Sequence, residues 1–207
     1  MKITVIGAGN SGLAMAAHLS KEGNEVTLWN RSSTTISKLM ETKLIICDGV
    51  IKGSIPIHIV TDDIKVALED PEIILITTPA NSHKELAELI SNNIGKSTII
   101  VLNPGRTFGA LEFKNIYEKY NKNYNQIIAE TQTIIYTCRK TDEDSVNIIA
   151  FKDSVLISAI GINPNESITN YLPECIRSNF LKADSMIDTS IGNVGMILHC
   201  APLMLNS

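Results

Sequence analysis

Cysteine is scarce in this chain of 207 residues, which contains four widely spaced ones and no Cys-x-x-Cys pair: Cys47, Cys138, Cys175 and Cys200. Isolated cysteines at such spacings provide neither a zinc-type ligand set nor the framework of a disulfide-rich secreted domain. We therefore expect reduced thiols, no bound metal and a cytoplasmic location.

An excess of basic charge is also missing. Lys and Arg together number 18 against 22 Asp and Glu, which gives a formal net charge of −4. This balance does not attract phosphate backbones or anionic lipid, so we expect no nucleic-acid and no membrane partner. Apolar runs such as Ile73–Ile76 are far shorter than the roughly 20 residues that cross a bilayer. The first residues also lack the pattern of a secretory signal peptide.

What is present is an alternation of short apolar strands with helices. Strands are predicted at Lys2–Ile6, Val26–Trp29, Glu72–Thr77, Ser97–Leu102 and Gln126–Ala129. Helices are predicted at Ser11–Lys21, at Ile36–Lys43, from Asp62 or Asp63 to Leu68, from Ser82 onward, at Gly109–Tyr120 and at Asn165–Ile176. Such connections are right-handed crossovers and give a mostly parallel, doubly wound α/β sheet. A hairpin-like excursion is predicted from Leu44–Cys47 and Ile55–Val60, and antiparallel additions from Thr133–Cys138, Ser145–Phe151 and Val155–Ala159.

The strongest motif joins the first strand to the first helix: Gly7, Ala8, Gly9, Asn10, Ser11 and Gly12. In the pattern Gly-x-Gly-x-x-Gly, the first glycine permits a tight turn and the second lets a pyrophosphate approach the backbone. The third glycine lets the helix pack closely, and the N-terminus of that helix attracts phosphate. Because the motif follows a strand and opens a helix, it predicts a Rossmann-type dinucleotide-binding fold.

The end of the second strand indicates which dinucleotide is preferred. An acidic residue there would hold the ribose 2′-hydroxyl of NAD, but this chain has Asn30, Arg31 and Ser32. Arg31 can pair with a 2′-phosphate, and its two neighbours can donate hydrogen bonds to it. We therefore expect NADP as the preferred cofactor, with NAD possible. The alternative, that Arg31 is a solvated loop charge, stays open.

Two further loops follow parallel strands at the edge where ligands of such sheets bind. One carries Thr78, Pro79 and Ala80, and the other begins with Asn103 and Pro104. We expect both loops to border the nicotinamide, although Pro79 and Pro104 are also typical of ordinary loops without a binding role.

Four polar residues near these loops have competing interpretations. Ser82 and Glu85 match the capping-box pattern of a helix start. His83, in the first turn of the same helix, is expected to be an exposed helix residue rather than a ligand. Glu130 ends a strand on the same edge of the sheet, where it either faces substrate or serves as a helix cap or salt-bridge partner.

The last segment, residues 184–207, has helical spacing of apolar residues and ends without a capping glycine or a polar tail. An apolar helix needs a surface to cover it. We therefore expect residues 1–183 to form the dinucleotide domain and 184–207 to begin a helical substrate and dimerisation domain that is cut short. Its exposed face also favours self-association, which makes a homo-oligomer possible.

Taken together, GAGNSG (7–12), TTPANSH (77–83), LNPGRTFGALEF (102–113), AETQTIIYTCR (129–139) and GNVGMILHCAPLMLN (192–206) resemble the octopine/nopaline (opine) dehydrogenase family. The resemblance extends over essentially the whole chain. It implies reductive condensation of an amino acid with a 2-keto acid by NAD(P)H. It also implies that His199 is the catalytic histidine, with an Asp partner from a C-terminal domain. The family's proline after that histidine is Cys200 in this chain.

Two other classes of function stay open. One is a related reductase, similar to ketopantoate reductase or glycerol-3-phosphate dehydrogenase, which would need a catalytic lysine in the helical region. Lys182 is the only lysine after Lys152. The other is a nucleotide-binding module without catalytic activity.

Overall fold

Twelve strands and seven α-helices are found in residues 1–163 and 165–192, which are the residues that this computed structural model describes. The strands are β1 (Lys2–Ile6), β2 (Glu25–Trp29), β3 (Leu44–Gly49), β4 (Gly53–Pro56), β5 (Ile59–Thr61), β6 (Ile73–Ile76), β7 (Ile99–Leu102), β8 (Ile127–Thr131), β9 (Tyr136–Asp142), β10 (Ser145–Phe151), β11 (Val155–Ile160) and β12 (Phe180–Lys182). The helices are α1 (Asn10–Lys21), α2 (Ser37–Thr42), α3 (Ile64–Ala67), α4 (His83–Asn93), α5 (Gly109–Tyr120), α6 (Glu174–Arg177) and α7 (Met186–Ile191). Short 3-10 turns lie at Ser33–Ile36, Ala80–Ser82 and Ile168–Tyr171.

The main sheet has the strand order β12-β11-β8-β7-β6-β1-β2-β5. The six strands from β5 to β8 are parallel, and β11 joins β8 in the antiparallel direction. Counted along the chain, the parallel strands run third, second, first, fourth, fifth, sixth, which is the Rossmann order. The predicted doubly wound sheet with antiparallel additions is therefore confirmed. Its order reverses between β1 and β6, the position where ligands of such sheets bind.

Both faces of the sheet are covered, which explains why its strands are continuous apolar runs. Along β6, Ile73 and Leu75 belong to one buried cluster, while Ile74 and Ile76 belong to another on the opposite face. Alternate residues of a strand point to opposite faces, so one short run supplies both cores.

A second sheet of four strands, in the order β4-β3-β10-β9, packs against α1. It is assembled from two hairpins that are far apart in sequence, and β3 and β10 join them as parallel neighbours. Helix α1 therefore lies between two sheets, and its residues from Gly12 to Leu19 are all buried.

The predicted elements are largely confirmed, with α5 and β10 at the predicted bounds, but three segments differ. The strand predicted at Thr133–Cys138 begins only at Tyr136 and continues to Asp142. The run Ile55–Val60 is not one strand, because its start lies in β4 of the second sheet and its end in β5 of the main sheet. The predicted helix Asn165–Ile176 is wrong. A 3-10 turn and α6 are separated there by Leu172, which is extended (ψ 150°) because it precedes Pro173.

The helical prediction after Asp184 is confirmed as far as α7, which begins with a capping box formed by Ser185 and Asp188. Helix α7 packs on β8 and β11 of the main sheet. Residues 193–207 lie outside the described part, so the domain boundary at residue 183 stays a prediction. No helix in the described ranges is long and apolar enough to cross a membrane.

Candidate functional site

The predicted glycine-rich loop lies at the turn between β1 and α1. Gly7 has a φ of +105°, a conformation that glycine adopts without steric cost, and its amide donates to the Trp29 carbonyl at 2.8 Å. The Leu13 amide then donates to the Gly9 carbonyl at 3.0 Å, and α1 begins. The amides of the first helical turn have no partners within the helix and carry its positive dipole end, so this turn is suited to bind an anion.

The second and third glycines of the motif differ in their surroundings. A Cβ atom at Gly9 would meet nothing within 4 Å, and the residue has ordinary extended angles (φ −84°, ψ −166°). A Cβ atom at Gly12 would lie 1.8 Å from the Gly7 carbonyl oxygen. Gly12 is therefore required by the turn itself, whereas the space beside Gly9 is left open, as a bound pyrophosphate would need.

The loop after β6 faces the glycine-rich loop across a cleft. The Thr77 hydroxyl donates to the Ile6 carbonyl at 2.9 Å, and the Ser11 hydroxyl donates to the Thr77 carbonyl at 3.3 Å. The cleft has a volume of about 500 Å³. Its described lining contains no acidic residue: Gly9, Asn10, Ser11, Thr77, Thr78, Pro79, Ala80, Pro104, Arg106, Thr133 and Ile134. The structure thus brings Gly9, Asn10 and Ser11 together with Thr78, Pro79 and Ala80, as the sequence predicts.

The residues after β2 are held in place by local contacts. The Asn30 side chain accepts from the Ala8 amide at 3.2 Å and donates to the Ser32 carbonyl at 3.2 Å, so it ties this loop to the glycine-rich loop. Arg31 forms an ion pair with Glu85 of α4 at 2.9 Å, and both side chains are more than half exposed. The Ser32 hydroxyl lies 2.7 Å from that of Thr34. Arg31 is therefore paired rather than simply solvated.

Asn103 is buried, with 1% exposure. Its Oδ1 accepts from the Thr131 hydroxyl at 2.9 Å, whereas its Nδ2 has no hydrogen-bond partner among the described residues. A buried amide without a partner is costly. Asn103 does not line the cleft itself, whereas the next residue, Pro104, does.

The loop that follows Asn103 is strained. Arg106, Thr107 and Phe108 have φ values of +55°, +42° and +61°, the left-handed region that non-glycine residues rarely enter. The Ser190 carbonyl accepts from the Thr107 amide at 3.2 Å, and the Ser190 hydroxyl accepts from the Phe108 amide at 3.0 Å. The start of the C-terminal segment thereby stabilises a loop that lines the cleft.

Glu130 lies beneath the same loop and is fully buried. Its carboxylate accepts from the Ala110 amide at 2.9 Å, and from the Thr189 and Ser190 hydroxyls of α7. Of the interpretations that the sequence leaves open, the helix cap is the one observed, at the N-terminus of α5. Glu130 does not line the cleft.

Two predictions at the start of α4 are wrong. His83 is not exposed but 2% accessible, with Nε2 3.3 Å from the Thr78 carbonyl, because the loop folds the ring inward beside Gly109. Burial lowers the pKa of this ring. Ser82 and Glu85 do not form a capping box. The Ser82 hydroxyl bonds instead to Thr78 and to the Pro79 carbonyl, and Glu85 pairs with Arg31.

Residues at or near the cleft that are absent from the sequence-based site include Arg106, Thr133, Ile134 and Lys140. Arg106 and Thr133 line the cleft, and Lys140 Nζ lies 3.2 Å from the Ala8 carbonyl oxygen. Thr133 lies in the connection between β8 and β9, and Lys140 lies on β9 of the second sheet. Their positions depend on how distant segments pack together, so no local sequence signal identified them. The predicted catalytic residue, His199, lies outside the described residues. Within the described part, no cluster of His, Cys, Asp and Glu has the composition of a metal site.

Comparisons with known proteins connect this geometry to dehydrogenases. An opine dehydrogenase of Arthrobacter sp. (strain 1C) is 31% identical over 208 residues, an alignment that covers 98% of this chain and 56% of that protein. The resemblance expected from the motifs is thereby confirmed. The chain spans about half the length of the curated relatives it matches.

Solved structures agree on the fold. An octopine dehydrogenase with NADH and pyruvate has a TM-score of 0.77 at 15% identity, covering 95% of this chain and 53% of that one. A yersinopine dehydrogenase with NADP+ bound has a TM-score of 0.68 at 17% identity, covering 88% and 47%. One of these neighbours contains NADH and the other NADP+, and both share the fold of this chain.

One family profile, described as the NAD-dependent glycerol-3-phosphate dehydrogenase N-terminus, matches residues 2–137. These residues contain β1, the glycine-rich loop, the reversal point of the sheet and the cleft loops after β6 and β7. Since the match extends over well more than half of the sequence, the chain belongs to the family of NAD-dependent glycerol-3-phosphate dehydrogenase N-terminal domains.

Proposed function

We propose that this chain is the cofactor-binding half of an opine-type dehydrogenase, which reductively condenses an amino acid with a 2-keto acid. The observation that carries the proposal is the open space at Gly9, beside the N-terminus of α1 and opposite the loop after β6. The relative that aligns with 98% of the chain is an opine dehydrogenase, and this favours that reaction over the others of the family.

The described residues fit a dinucleotide. Gly9 leaves room for a pyrophosphate, and the amides of Asn10, Ser11 and Gly12 belong to the first turn of α1, which has no acceptors for them within the helix. When bound, the cofactor supplies the hydride. The protein supplies position and the exclusion of water, and positioning of this kind can contribute about 7–11 kcal/mol to lowering a barrier.

We propose NADP as the preferred cofactor, with Arg31 as the residue that recognises the 2′-phosphate. In the structure, Arg31 forms an ion pair with the carboxylate of Glu85, which is 2.9 Å away and largely exposed. An exposed pair of this kind is worth little, about 0–1 kcal/mol, so a phosphate can replace the carboxylate as the partner. The neighbouring Asn30 is engaged with Ala8 and Ser32 and contributes mainly the shape of the loop.

His199 is proposed as the group that gives and takes a proton during condensation and reduction. An imidazole is suited to this because its ordinary pKa is about 6.5, close to neutral pH. We place the substrate side and the carboxylate partner of His199 in a helical domain that begins near residue 184. The thiols of Cys47, Cys138 and Cys175 are all unpaired, which supports a cytoplasmic enzyme.

The test measures NADPH oxidation with a panel of amino acids and 2-keto acids, and in parallel with dihydroxyacetone phosphate. It uses the 207-residue chain and a longer chain that carries the C-terminal half found in the relatives. We expect the short chain to bind cofactor without turnover. The longer chain should form opines and lose turnover, but not cofactor binding, on His199→Ala. Reduction of dihydroxyacetone phosphate alone would refute the proposed reaction and favour glycerol-3-phosphate dehydrogenase activity.

A further inference from the structure

The second sheet contacts the phosphate loop of the main sheet. Three contacts run from β9 to the residues on either side of Gly9. The Lys140 amide donates to Asn10 Oδ1 at 2.8 Å, the Cys138 thiol donates to the Asn10 carbonyl at 3.4 Å, and Lys140 Nζ donates to the Ala8 carbonyl at 3.2 Å. An ammonium group is therefore bound to the backbone of Ala8, the residue before Gly9, although it lies more than 4 Å from the position of a Cβ at Gly9.

The direction of Lys140 follows from the pleat of β9. Residues Tyr136, Cys138 and Lys140 face α1, since the first is fully buried and the others contact its first turn. Thr137 and Arg139, between them, are exposed. Alternation along a strand thus separates two adjacent cations, Arg139 in solvent and Lys140 at the loop.

A β-bulge next to Lys140 marks the end of the regular alternation. Val146 pairs with Lys140 and Ser145 pairs with Asp142, so Thr141 is an extra residue on β9. Bulges bend a strand and redirect side chains, and they are common beside binding sites. The described lining of the adjacent cleft contains no acidic residue and one charged residue, Arg106. Lys140 is not itself part of that lining, but its ammonium lies at the Ala8 carbonyl beside it.

We propose that Lys140 is a cofactor-binding residue that neutralises the pyrophosphate of the dinucleotide, supplied by the second sheet rather than by the Rossmann sheet. The inference rests on the proposed dinucleotide site. The ammonium leaves the Ala8 carbonyl, a neutral acceptor, for the doubly charged pyrophosphate, which is the stronger partner. Because the pyrophosphate is common to NAD and NADP, Lys140 contributes affinity without distinguishing them.

The experiment compares dissociation constants of Lys140→Met with those of the wild type and of Arg139→Met, which removes the same charge one residue away on the opposite face. The ligands are NADPH, NADH, ADP and adenosine. We expect Lys140→Met to weaken the binding of NADPH, NADH and ADP equally, by about tenfold to a hundredfold, because one charge-assisted hydrogen bond is lost. Adenosine, which has no phosphate, should bind unchanged. Lys140→Arg should retain most of the affinity, and Arg139→Met should bind as the wild type does.

Dissociation constants of Lys140→Met within twofold of the wild type would overturn the inference and leave the dinucleotide site intact. An equal loss in Arg139→Met would overturn it as well, because the effect would then be one of overall charge. A wild type that binds none of the phosphate-containing ligands would refute the dinucleotide site itself, and the inference with it. Unfolding temperatures of the variants separate loss of a contact from loss of the fold.

Discussion

Gly9 and Gly12 of the phosphate loop should differ in what a substitution affects, ligand binding at the first and stability of the fold at the second. At Gly9 a Cβ meets nothing within 4 Å, and its backbone angles suit any residue. At Gly12 a Cβ would be 1.8 Å from the Gly7 carbonyl oxygen and 2.8 Å from Thr77 Oγ1. Only the first position has free space, so Gly9→Val should affect ligand binding and Gly12→Ala should affect folding.

The magnitudes follow from these distances. Gly9→Val should change the free energy of unfolding by no more than about 1 kcal/mol, because lower entropy of the unfolded chain offsets a poorer helix cap. Gly12→Ala should cost about 1–3 kcal/mol or more, because the backbone of the turn must move to relieve the overlap. For cofactor, Gly9→Val should weaken binding more than about a hundredfold, as expected when two or more charge-assisted hydrogen bonds to the pyrophosphate are lost.

The assay combines urea unfolding with titration of NADPH fluorescence on the same protein preparations. The expected pattern is a stable Gly9→Val variant that does not bind and a destabilised Gly12→Ala variant. Normal NADPH affinity in Gly9→Val would refute the placement of the pyrophosphate at this loop. Stability of Gly12→Ala equal to that of the wild type would show that the close approach to Gly7 is not required.

Three further predictions concern charge. Arg31→Ala should weaken the binding of NADPH, but not of NADH, by about tenfold to a hundredfold. Glu85→Gln should strengthen the binding of NADPH, because it removes the carboxylate that competes for Arg31. A wild type that binds NADH more tightly than NADPH would contradict both expectations. Glu130→Gln should lower the free energy of unfolding by about 1–3 kcal/mol in urea, because an amide cannot accept all the bonds that the carboxylate accepts, and an unchanged midpoint would refute that role. Burial lowers the pKa of His18 and of His83 below the ordinary value of 6.5, so just below pH 6.5 the unfolded chain binds more protons than the folded chain. The free energy of unfolding should therefore fall as the pH drops below 6.5. The double variant His18→Gln with His83→Gln should show a weaker dependence of this free energy on pH.

Local sequence determined the elements around the candidate site. A short buried strand, a tight glycine turn and a helix with apolar spacing are encoded within residues 2–21, and the structure has all three there. The parallel strands were equally clear, because burial on both faces requires continuous apolar runs such as Ile73–Ile76. The sequence predicted a mostly parallel sheet, and the structure supplied the strand order.

Only the tertiary structure decided how remote segments combine. Nothing local to Ile55–Val60 shows that its two ends join different sheets, and nothing near Lys140 shows that its ammonium reaches Ala8, 132 positions earlier. The burial of His83 and its contact with Thr78 likewise depend on how a loop folds over the sheet edge. Sequence periodicity shows which face of a helix or strand is apolar. Which elements pack against each other is decided by the packing of the whole core. In this chain, that packing placed the second sheet beside the phosphate loop.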